Sequence, residues 1–349
     1  MAGIWVEPLG LLQGRAAALA IAADVALPLG GGAAAFTMVR IIAPDAPAAP
    51  MALADVPPSW QDQVLALTRP VPGFAGLPTP AEIGRPLVMG IVNVTPDSFS
   101  DGGRHFDPRT AIAAGHAMLE AGADILDIGG ESTRPGADSV SSDEEIRRVL
   151  PVIQALRRES QVLISIDTSK AVVAQAALDA GADIINDVTG LRGDSEMPAL
   201  AASSQAGVII MHMQGEPRTM QFAPTYHDVV REVGEFFRQS LARSVACGID
   251  PMRIALDPGI GFGKSPEHNR MLLAELSAFL DFGRPLLIGV SRKSFLGWLA
   301  GSAAMDNRFW PGIALTSLCR ERGARILRVH DVKPHTEALR MSEAILGHV

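Results

Sequence analysis

Eight short runs of apolar and β-branched residues, most of them separated by helical patterns, constrain the fold more than any other feature of the sequence. Three of them repeat one phrase, in which a glycine that ends a helix is followed by alanine and a buried strand: GADILDIGG, GADIINDVTG and GARILRVHDV. Nearly continuous apolar strands that alternate with helices are typical of a parallel sheet covered on both faces. Eight such units over about 260 residues match the size of a closed (β/α)8 barrel.

We therefore expect an α/β fold of the (β/α)8 TIM-barrel type, with an open doubly wound sheet as the alternative. Between the strands we expect a helix that begins at Pro108 with Asp107 as its cap, a capping box at Ser142 and Glu145, and a kink or division at Pro151. The eight predicted strands are 86–94, 123–130, 162–169, 182–190, 207–213, 253–259, 285–293 and 324–332.

The first 85 residues differ from the rest and predict an N-terminal extension and linker of unknown role, followed by the catalytic barrel at 86–349. The Ala-rich stretch 16–36 is interrupted by Asp24 and Pro28, so we expect a helix and a turn at its glycines rather than a membrane span or signal peptide. Segment 43–83 is rich in Pro and Ala, which is typical of a linker or irregular covering segment.

Composition and short motifs exclude several functions. The net charge of −8 argues against broad nucleic-acid binding. Cys247 and Cys319 form no CxxC pair, which makes thiolate metal sites and a disulfide framework improbable and fits a reducing, cytoplasmic location. The segment GIGFGKS lacks the spacing of a phosphate-binding P-loop, and MHM lacks a second His at zinc-ligand spacing. Four histidines outside any pattern are expected to be solvated: His105, His227, His335 and His348.

Every predicted strand carries polar or charged residues near its carboxyl end. In a closed barrel these ends meet at one mouth, where such barrels carry their chemistry. Strand ends are also polar simply because they meet solvent, but eight of them favour a shared site. The residues are Asn93, 131–134, Asp167, Asn186, His212, Asp257, 291–293 and 328–331.

The types of these residues predict a ligand. Arg292, Lys293, Arg328 and His330 follow the last two strands, where barrels commonly bind phosphate. Arg292 alone fits a surface salt bridge equally well. Three acceptor or amide side chains suit a flat heterocycle that bears N–H donors and a carbonyl, with structural hydrogen bonding as the alternative: Asp167, Asn186 and Asp257.

The loop at 95–104 is rich in small polar residues and contains one aromatic residue, Phe99. Gly102 and Gly103 permit hinging, and Phe99 can cover an aromatic substrate. We expect a lid that excludes water from the site, with a plain mobile loop as the alternative.

Taken together, these segments resemble the dihydropteroate synthase family over roughly residues 86–349: GIVNVTPDSFSDGG, DIGGESTRPGA, SIDTSK, INDVTG, MHMQGEPRTMQ, DPGIGFGKS, GVSRKSFLG and RVHDV. The resemblance implies the condensation of 6-hydroxymethyl-7,8-dihydropterin diphosphate with 4-aminobenzoate to 7,8-dihydropteroate and diphosphate, in folate synthesis. It further implies Mg2+ as cofactor, sulfonamides as inhibitors and a homodimer. Alternatives are a pterin-dependent methyltransferase and an inactive pterin-binding paralogue.

The resemblance also implies roles for individual residues. Asp167, Asn186 and Asp257 are similar to residues that bind the pterin edge, and Lys293 to the lysine that reaches its carbonyl and ring nitrogen. Arg328 is similar to the arginine that stacks on the pterin and meets the diphosphate. Contacts to diphosphate and metal are implied for His330 and Asn93, to aminobenzoate or diphosphate for Thr133, Arg134, Pro135, Phe99 and Ser294, and to the pterin slot for Phe262, with Met211 or Met213.

A reaction of this kind needs charge stabilisation rather than a nucleophilic side chain. Breaking a C–O bond beside an electron-rich pterin leaves a stabilised cation, so we expect an SN1-like path in which the amine of aminobenzoate attacks. Cationic groups and Mg2+ would hold the departing diphosphate. A carboxylate, Asp167 or Asp101, would favour the developing positive charge, and Lys293 completes the predicted catalytic set.

Overall fold

The protein is described here by a computed structural model, which covers residues 5–42, 49–71, 73–77, 80–95, 108–132, 139–215, 219–301 and 308–347. Strands and helices are numbered along the chain. No helix in these ranges combines the length and the apolarity needed to cross a membrane.

The N-terminal extension is folded into two small antiparallel sheets. The first contains β1 (Trp5–Leu9), β5 (Met38–Ile42) and β6 (Pro50–Ala52). The second contains β2 (Leu12–Gln13), β3 (Leu27–Leu29) and β4 (Ala34–Phe36). Between and after them lie α1 (Gly14–Ala22), a 3-10 helix (Leu53–Asp55), α2 (Pro58–Ala66) and α3 (Pro80–Ile83).

The extension has more regular structure than its composition predicted. The predicted Ala-rich helix and the turn at Gly30 and Gly31 are present, but strand β3 lies between them. Much of the segment expected to be irregular is helical, because Val56, Val64 and Leu67 pack with Phe36 in a separate apolar cluster. Burial of such a face stabilises short helices whose sequence alone favours them weakly.

A closed barrel of eight parallel strands follows, so the predicted fold class is confirmed. All eight predicted strands are present: β7 (Leu87–Asn93), β8 (Ile125–Gly129), β9 (Leu163–Asp167), β10 (Ile184–Asp187), β11 (Gly207–Met211), β12 (Ile254–Asp257), β13 (Leu286–Ile288) and β14 (Ala324–Val329). Pairing of β14 with β7 closes the ring.

Helices cover the outside of the barrel. They are α4 (Pro108–Glu120), α5 (Ser142–Glu159), α6 (Ala171–Asp179), α7 (Met197–Ser203), α8 (Val229–Ala246), α9 (Pro266–Ala274), α10 (Ser294–Leu299), α11 (Phe309–Glu321) and α12 (Val332–Leu346), with 3-10 helices at Pro251–Arg253 and Leu276–Phe282.

Alternation along the barrel strands divides the interior into two layers, because every second side chain points inward. Near the amino ends, the inward side chains form one apolar cluster with Phe74: Leu87, Met89, Ile125, Ile184, Ile209, Ala255, Leu287 and Ile326. Further along the same strands, the inward positions are polar: Asp127, Asp167, Asn186, Asp257 and Arg328. The barrel is therefore closed by apolar packing at one end and carries its polar groups at the other.

Two local predictions need correction, and a third is confirmed in part. The N-cap of α5 is Ser141, which accepts a hydrogen bond from the backbone N–H of Glu144, so the predicted capping box lies one residue too late. Pro151 does not divide α5, because the buried face of that helix is packed on both sides of the proline. The helix at Pro108 begins where predicted, while Asp107 lies outside the described residues.

His335 is not solvated as expected. Its side chain is buried beneath α11 and its Nδ1 lies 2.6 Å from Oγ1 of Thr316. Burial lowers the pKa of His335 to about 4. His227 is exposed, as predicted, and His105 and His348 lie outside the described residues.

Candidate active site

Five charged or amide side chains meet inside the mouth of the barrel. Arg328 on β14 donates from Nε to Oδ2 of Asp127 at 2.6 Å and from Nη2 to Oδ2 of Asp167 at 2.5 Å. Asn186 on β10 donates to Oδ2 of Asp127 at 3.1 Å. Asp257, on β12, lies near enough to Arg328 and Lys293 for both cations to lower its pKa, although burial raises it more. The mouth therefore holds three carboxyl groups around one guanidinium.

Asp167 has an acceptor that no protein donor satisfies. Its Oδ1 is buried and has no hydrogen-bond partner among the described residues, while Oδ2 is bound to Arg328. Burial raises the pKa of Asp167 to about 7, against the attraction of Arg328, and the neighbouring Asp127 raises it further. A buried, unsatisfied acceptor is unfavourable in itself, so this oxygen is suited to a ligand donor.

Lys293 reaches the same space from the segment after β13. Its Nζ donates to the carbonyl of Ile260 and lies 4.5 Å from the ring centroid of Phe262. Burial lowers the pKa of Lys293 to about 8, with Asp257 opposing and Arg328 adding to the shift. Lys293 has no salt-bridge partner among the described residues, and such a partly buried ammonium is suited to bind an electron-rich ligand atom.

The loop after β12 forms hydrogen bonds with both Asp257 and Lys293. Asp257 accepts from the backbone N–H of Gly259 at 2.7 Å, and Ile260 accepts from Lys293. Gly259 has φ +65, and a Cβ there would lie 1.9 Å from the carbonyl oxygen of His212. The glycine at this position therefore permits close contact with the chain after β11.

One wall of the mouth is apolar and flexible. Met211 and Met213 form a buried cluster with Val188 and Met220, and Phe262 packs against it. The sequence paired Phe262 with these methionines as the lining of a slot, and the structure brings them together. Methionine adapts its shape readily to a flat ligand.

The residues predicted to bind phosphate after the last two strands do not share one environment in the structure. His330 Nδ1 lies 3.1 Å from Oγ of Ser291, which also accepts from the backbone N–H of His330. Arg292 is exposed and forms an ion pair with Asp331, with an Nη2–Oδ1 distance of 2.5 Å. Ser294 is exposed at the first position of α10, directly after Lys293. Arg292 thus takes the salt-bridge role that its residue type also allowed.

Asn93 ends β7 and is partly buried beside the mouth. In the described part of the chain, no group of three or more His, Cys, Asp or Glu side chains is placed to hold a metal ion. An isolated amide oxygen fits a Mg2+ ion that keeps several waters and takes most of its other ligands from substrate phosphates.

Several predicted site residues lie outside the described part of the chain. They belong to the two long loops after β7 and β8, and they are Phe99, Asp101, Thr133, Arg134 and Pro135. The lid predicted at 95–104 falls almost entirely in the same gap.

Two residues of the site were not predicted from the sequence. Asp127 does not end its strand, yet a carboxylate two positions after inward-facing Ile125 in an apolar strand indicates a buried partner. Lys264 belongs to the segment GIGFGKS, which lacks the spacing of a P-loop. Its Nζ is buried and contacts Nδ1 of His212 at 2.9 Å and the carbonyls of Gly259 and Phe262 at 3.0 and 2.9 Å. Burial lowers the pKa of Lys264 well below its usual value.

The profile of the family described as "Pterin binding enzyme" matches residues 89–330. The dihydropteroate synthase of Escherichia coli (strain K12) is 48% identical over 271 residues, which are 77% of this chain and 95% of that protein. The Xanthomonas albilineans dihydropteroate synthase solved with 4-aminobenzoic acid is 46% identical, with a TM-score of 0.71, over 75% of this chain and 94% of that one.

A second structure of the Xanthomonas albilineans enzyme, in complex with 7,8-dihydropteroate, is 40% identical with a TM-score of 0.67, over 75% of this chain and 94% of that one. These likenesses span almost the whole of each relative and the whole polar mouth of the barrel. The chain belongs to the dihydropteroate synthase family.

Proposed function

We propose that the mouth of the barrel condenses 6-hydroxymethyl-7,8-dihydropterin diphosphate with 4-aminobenzoate, giving 7,8-dihydropteroate and diphosphate. The observation that carries this proposal is the set of acceptors around Arg328, with the buried Oδ1 of Asp167 open to a ligand. The titles of the Xanthomonas albilineans structures name the second substrate and the product, which supports the same reaction here. No observation favours a methyltransferase or an inactive paralogue.

The inward acceptors of the mouth would bind the pterin. Its ring carries several N–H donors along one edge, and Asp167, Asn186 and Asp257 offer oxygens at neighbouring strand ends. Lys293 would donate to the carbonyl oxygen and a ring nitrogen of the pterin. Its ammonium already donates to a carbonyl oxygen of the protein backbone. Phe262, with Met211 or Met213, would pack on the ring face.

The reaction separates charge, and the chain has groups for both signs. As the C–O bond of the hydroxymethyl group breaks, its electron pair leaves with the diphosphate. Arg328 and His330 would bind the departing oxygens, and the carboxylate of Asp167 would favour the pterin cation. The nitrogen lone pair of 4-aminobenzoate then forms the C–N bond and the amine loses a proton. Catalytic roles for Asp167, Lys293 and Asp101 follow, the last from the charge of the developing cation alone, since Asp101 lies outside the described residues.

Asn93 is the residue that would hold Mg2+, together with oxygens of the diphosphate. When bound, the ion supplies positive charge to the leaving group. The remaining binding residues proposed from the resemblance are Phe99, Thr133, Arg134, Pro135 and Ser294. Inhibition by sulfonamides and a homodimer are proposed on the same basis, and a cytoplasmic location is proposed from the cysteine content.

Measurement of diphosphate release in the presence of both substrates tests the proposal. We expect release that depends on 4-aminobenzoate and a loss of about 10²–10³-fold in kcat/KM for Lys293→Met. Arg292→Met, in the adjacent exposed ion pair, is the matched control and should retain activity. Methyl transfer without diphosphate release would support the methyltransferase instead, and pterin binding without turnover would support the paralogue.

A further inference from the structure

A cavity of about 190 Å³ lies away from the mouth, where the extension covers the barrel. The extension contributes Gln13, Leu29 and the turn 32–34, and the barrel contributes Arg320, Glu321, Gly323 and Arg325, with Gly84 between them. The cavity therefore exists only because residues outside the family match at 89–330 are folded onto the barrel.

Arg325 is the cation in this cavity that no carboxylate of the described residues contacts, and Glu343 acts on it only from a longer distance. Its Nε is buried and has no hydrogen-bond partner among the described residues, and the side chain forms no ion pair within them. A Cβ at Gly30 or at Gly32 would lie 3.9 Å from Nη2 of Arg325, so the guanidinium reaches the glycine turn of the extension.

The other cation at the cavity, Arg320, already has a carboxylate partner. Arg320 donates from Nε and Nη2 to the carboxylate of Glu343 at 2.7 and 2.6 Å, and from Nη1 to Gln13 at 2.8 Å. Glu321 is exposed, and its backbone carbonyl accepts from Gln13. Burial lowers the pKa of Arg325 to about 10, so the group keeps its charge at neutral pH.

We propose that this cavity is a binding site for a small oxyanion, a phosphate or carboxylate group held by the guanidinium of Arg325. A guanidinium presents paired N–H donors that match two oxygens of such a group. The volume accommodates several waters or one small oxyanion, since a water occupies about 30 Å³ of liquid.

The site is distinct from the catalytic mouth. Arg325 and Arg328 are three residues apart on β14, which places them about 10 Å apart along the strand. The pairing of β14 with β13 is irregular beside Arg325, and Nη2 of Arg325 lies close to the glycine turn of the extension. Arg328 points into the barrel, and Arg325 points outward to the extension.

Titration of the full chain with inorganic phosphate and, separately, with acetate tests this site by calorimetry. Binding by the unaltered chain should weaken at least about tenfold in Arg325→Met, since the anion loses its guanidinium partner. Arg322→Met is the matched control, because Arg322 donates to backbone carbonyls outside the cavity, and it should bind as the unaltered chain does. Lys293→Met should also retain this binding, which separates it from phosphate bound at the mouth.

Binding of phosphate alone, or of acetate alone, would support the oxyanion site and show which kind of anion it takes. Equal binding by the unaltered chain and by Arg325→Met would overturn it. If Arg325→Met does not fold, crystals of the unaltered chain grown with selenate decide the question. An anomalous peak within hydrogen-bond reach of Arg325 supports the site, and waters alone in the cavity refute it.

Discussion

The two ends of the barrel are built from the same strands and differ in almost every physical property. At the mouth, Arg328 is surrounded by buried carboxyl groups, and one oxygen of Asp167 is left without a protein donor. At the other end, Phe74 is only 2% exposed and fills the barrel with aliphatic side chains. One barrel thus carries an apolar layer and a polar layer of inward side chains, two residues apart along several of its strands.

The extension adds a second difference between the ends. Val6 donates its backbone N–H to Asp281, Trp5 packs on Phe282 with ring centroids 6.0 Å apart, and Glu7 accepts from Ser277 at 2.9 Å. These contacts attach the extension to the 3-10 helix after α9. The end of the barrel opposite the mouth is thus covered by the extension.

The largest effect is expected for Arg328→Met, because the substitution should lower both the stability and the activity of the chain. Asp127 and Asp167 would remain buried without their partner, which costs about 3–5 kcal/mol of folding free energy. Diphosphate release should also fall by more than about 10²-fold. Chemical denaturation and steady-state kinetics measure the two losses. An active variant of normal stability would contradict the assignment of this ion-pair network.

Phe74→Ala, at the closed end of the barrel, should lower the stability of the chain and leave substrate binding unchanged. Removing a buried ring costs about 3–5 kcal/mol of stability. Because Phe74 lies near Gly207 at the start of β11, away from the mouth, KM values below the unfolding temperature should not change. Leu65→Ala, at an exposed position of α2, is the control and should be nearly neutral. A raised KM with unchanged stability would show that the two layers are coupled.

Two buried carboxyls make the comparison accessible to pH. Burial raises the pKa of Asp167 to about 7 and that of Asp281 to about 6. A raised pKa means that the folded chain holds a proton that the unfolded chain releases. Each group therefore lowers the free energy of unfolding as pH rises from about 4 to its folded pKa. The free energy of unfolding, measured with urea between pH 4 and 8, should fall less for Asp167→Asn and for Asp281→Asn than for the unaltered chain. The two ends are distinguished by activity, which only Asp167→Asn should reduce.

Arg292→Met should have the smallest effect. Its ion pair with Asp331 is exposed, and such pairs contribute about 0–1 kcal/mol. Stability and KM for the pterin substrate should both remain close to those of the unaltered chain. A KM increase comparable to that of Lys293→Met would place Arg292 in the binding site after all.

The sequence predicted the barrel and most of the described site residues because both depend on local periodicity. Asn186, Asp257 and Lys293 follow buried strands, and strand ends of a closed barrel converge wherever they occur along the chain. His335 was misjudged because its burial depends on Thr316, a residue on a different helix. The extension was misjudged because its small core gathers side chains from several short elements that have no strong period.

By itself, the sequence determined which side chains face the interior, since alternation along a strand follows from the backbone alone. The tertiary structure decided which of them meet. Arg328 and Asp127 are 201 positions apart, and only closure of the ring brings them to 2.6 Å. Likewise, only the folded extension brings its glycine turn beside Arg325 and forms the cavity there, which depends on distances that no spacing in the sequence encodes.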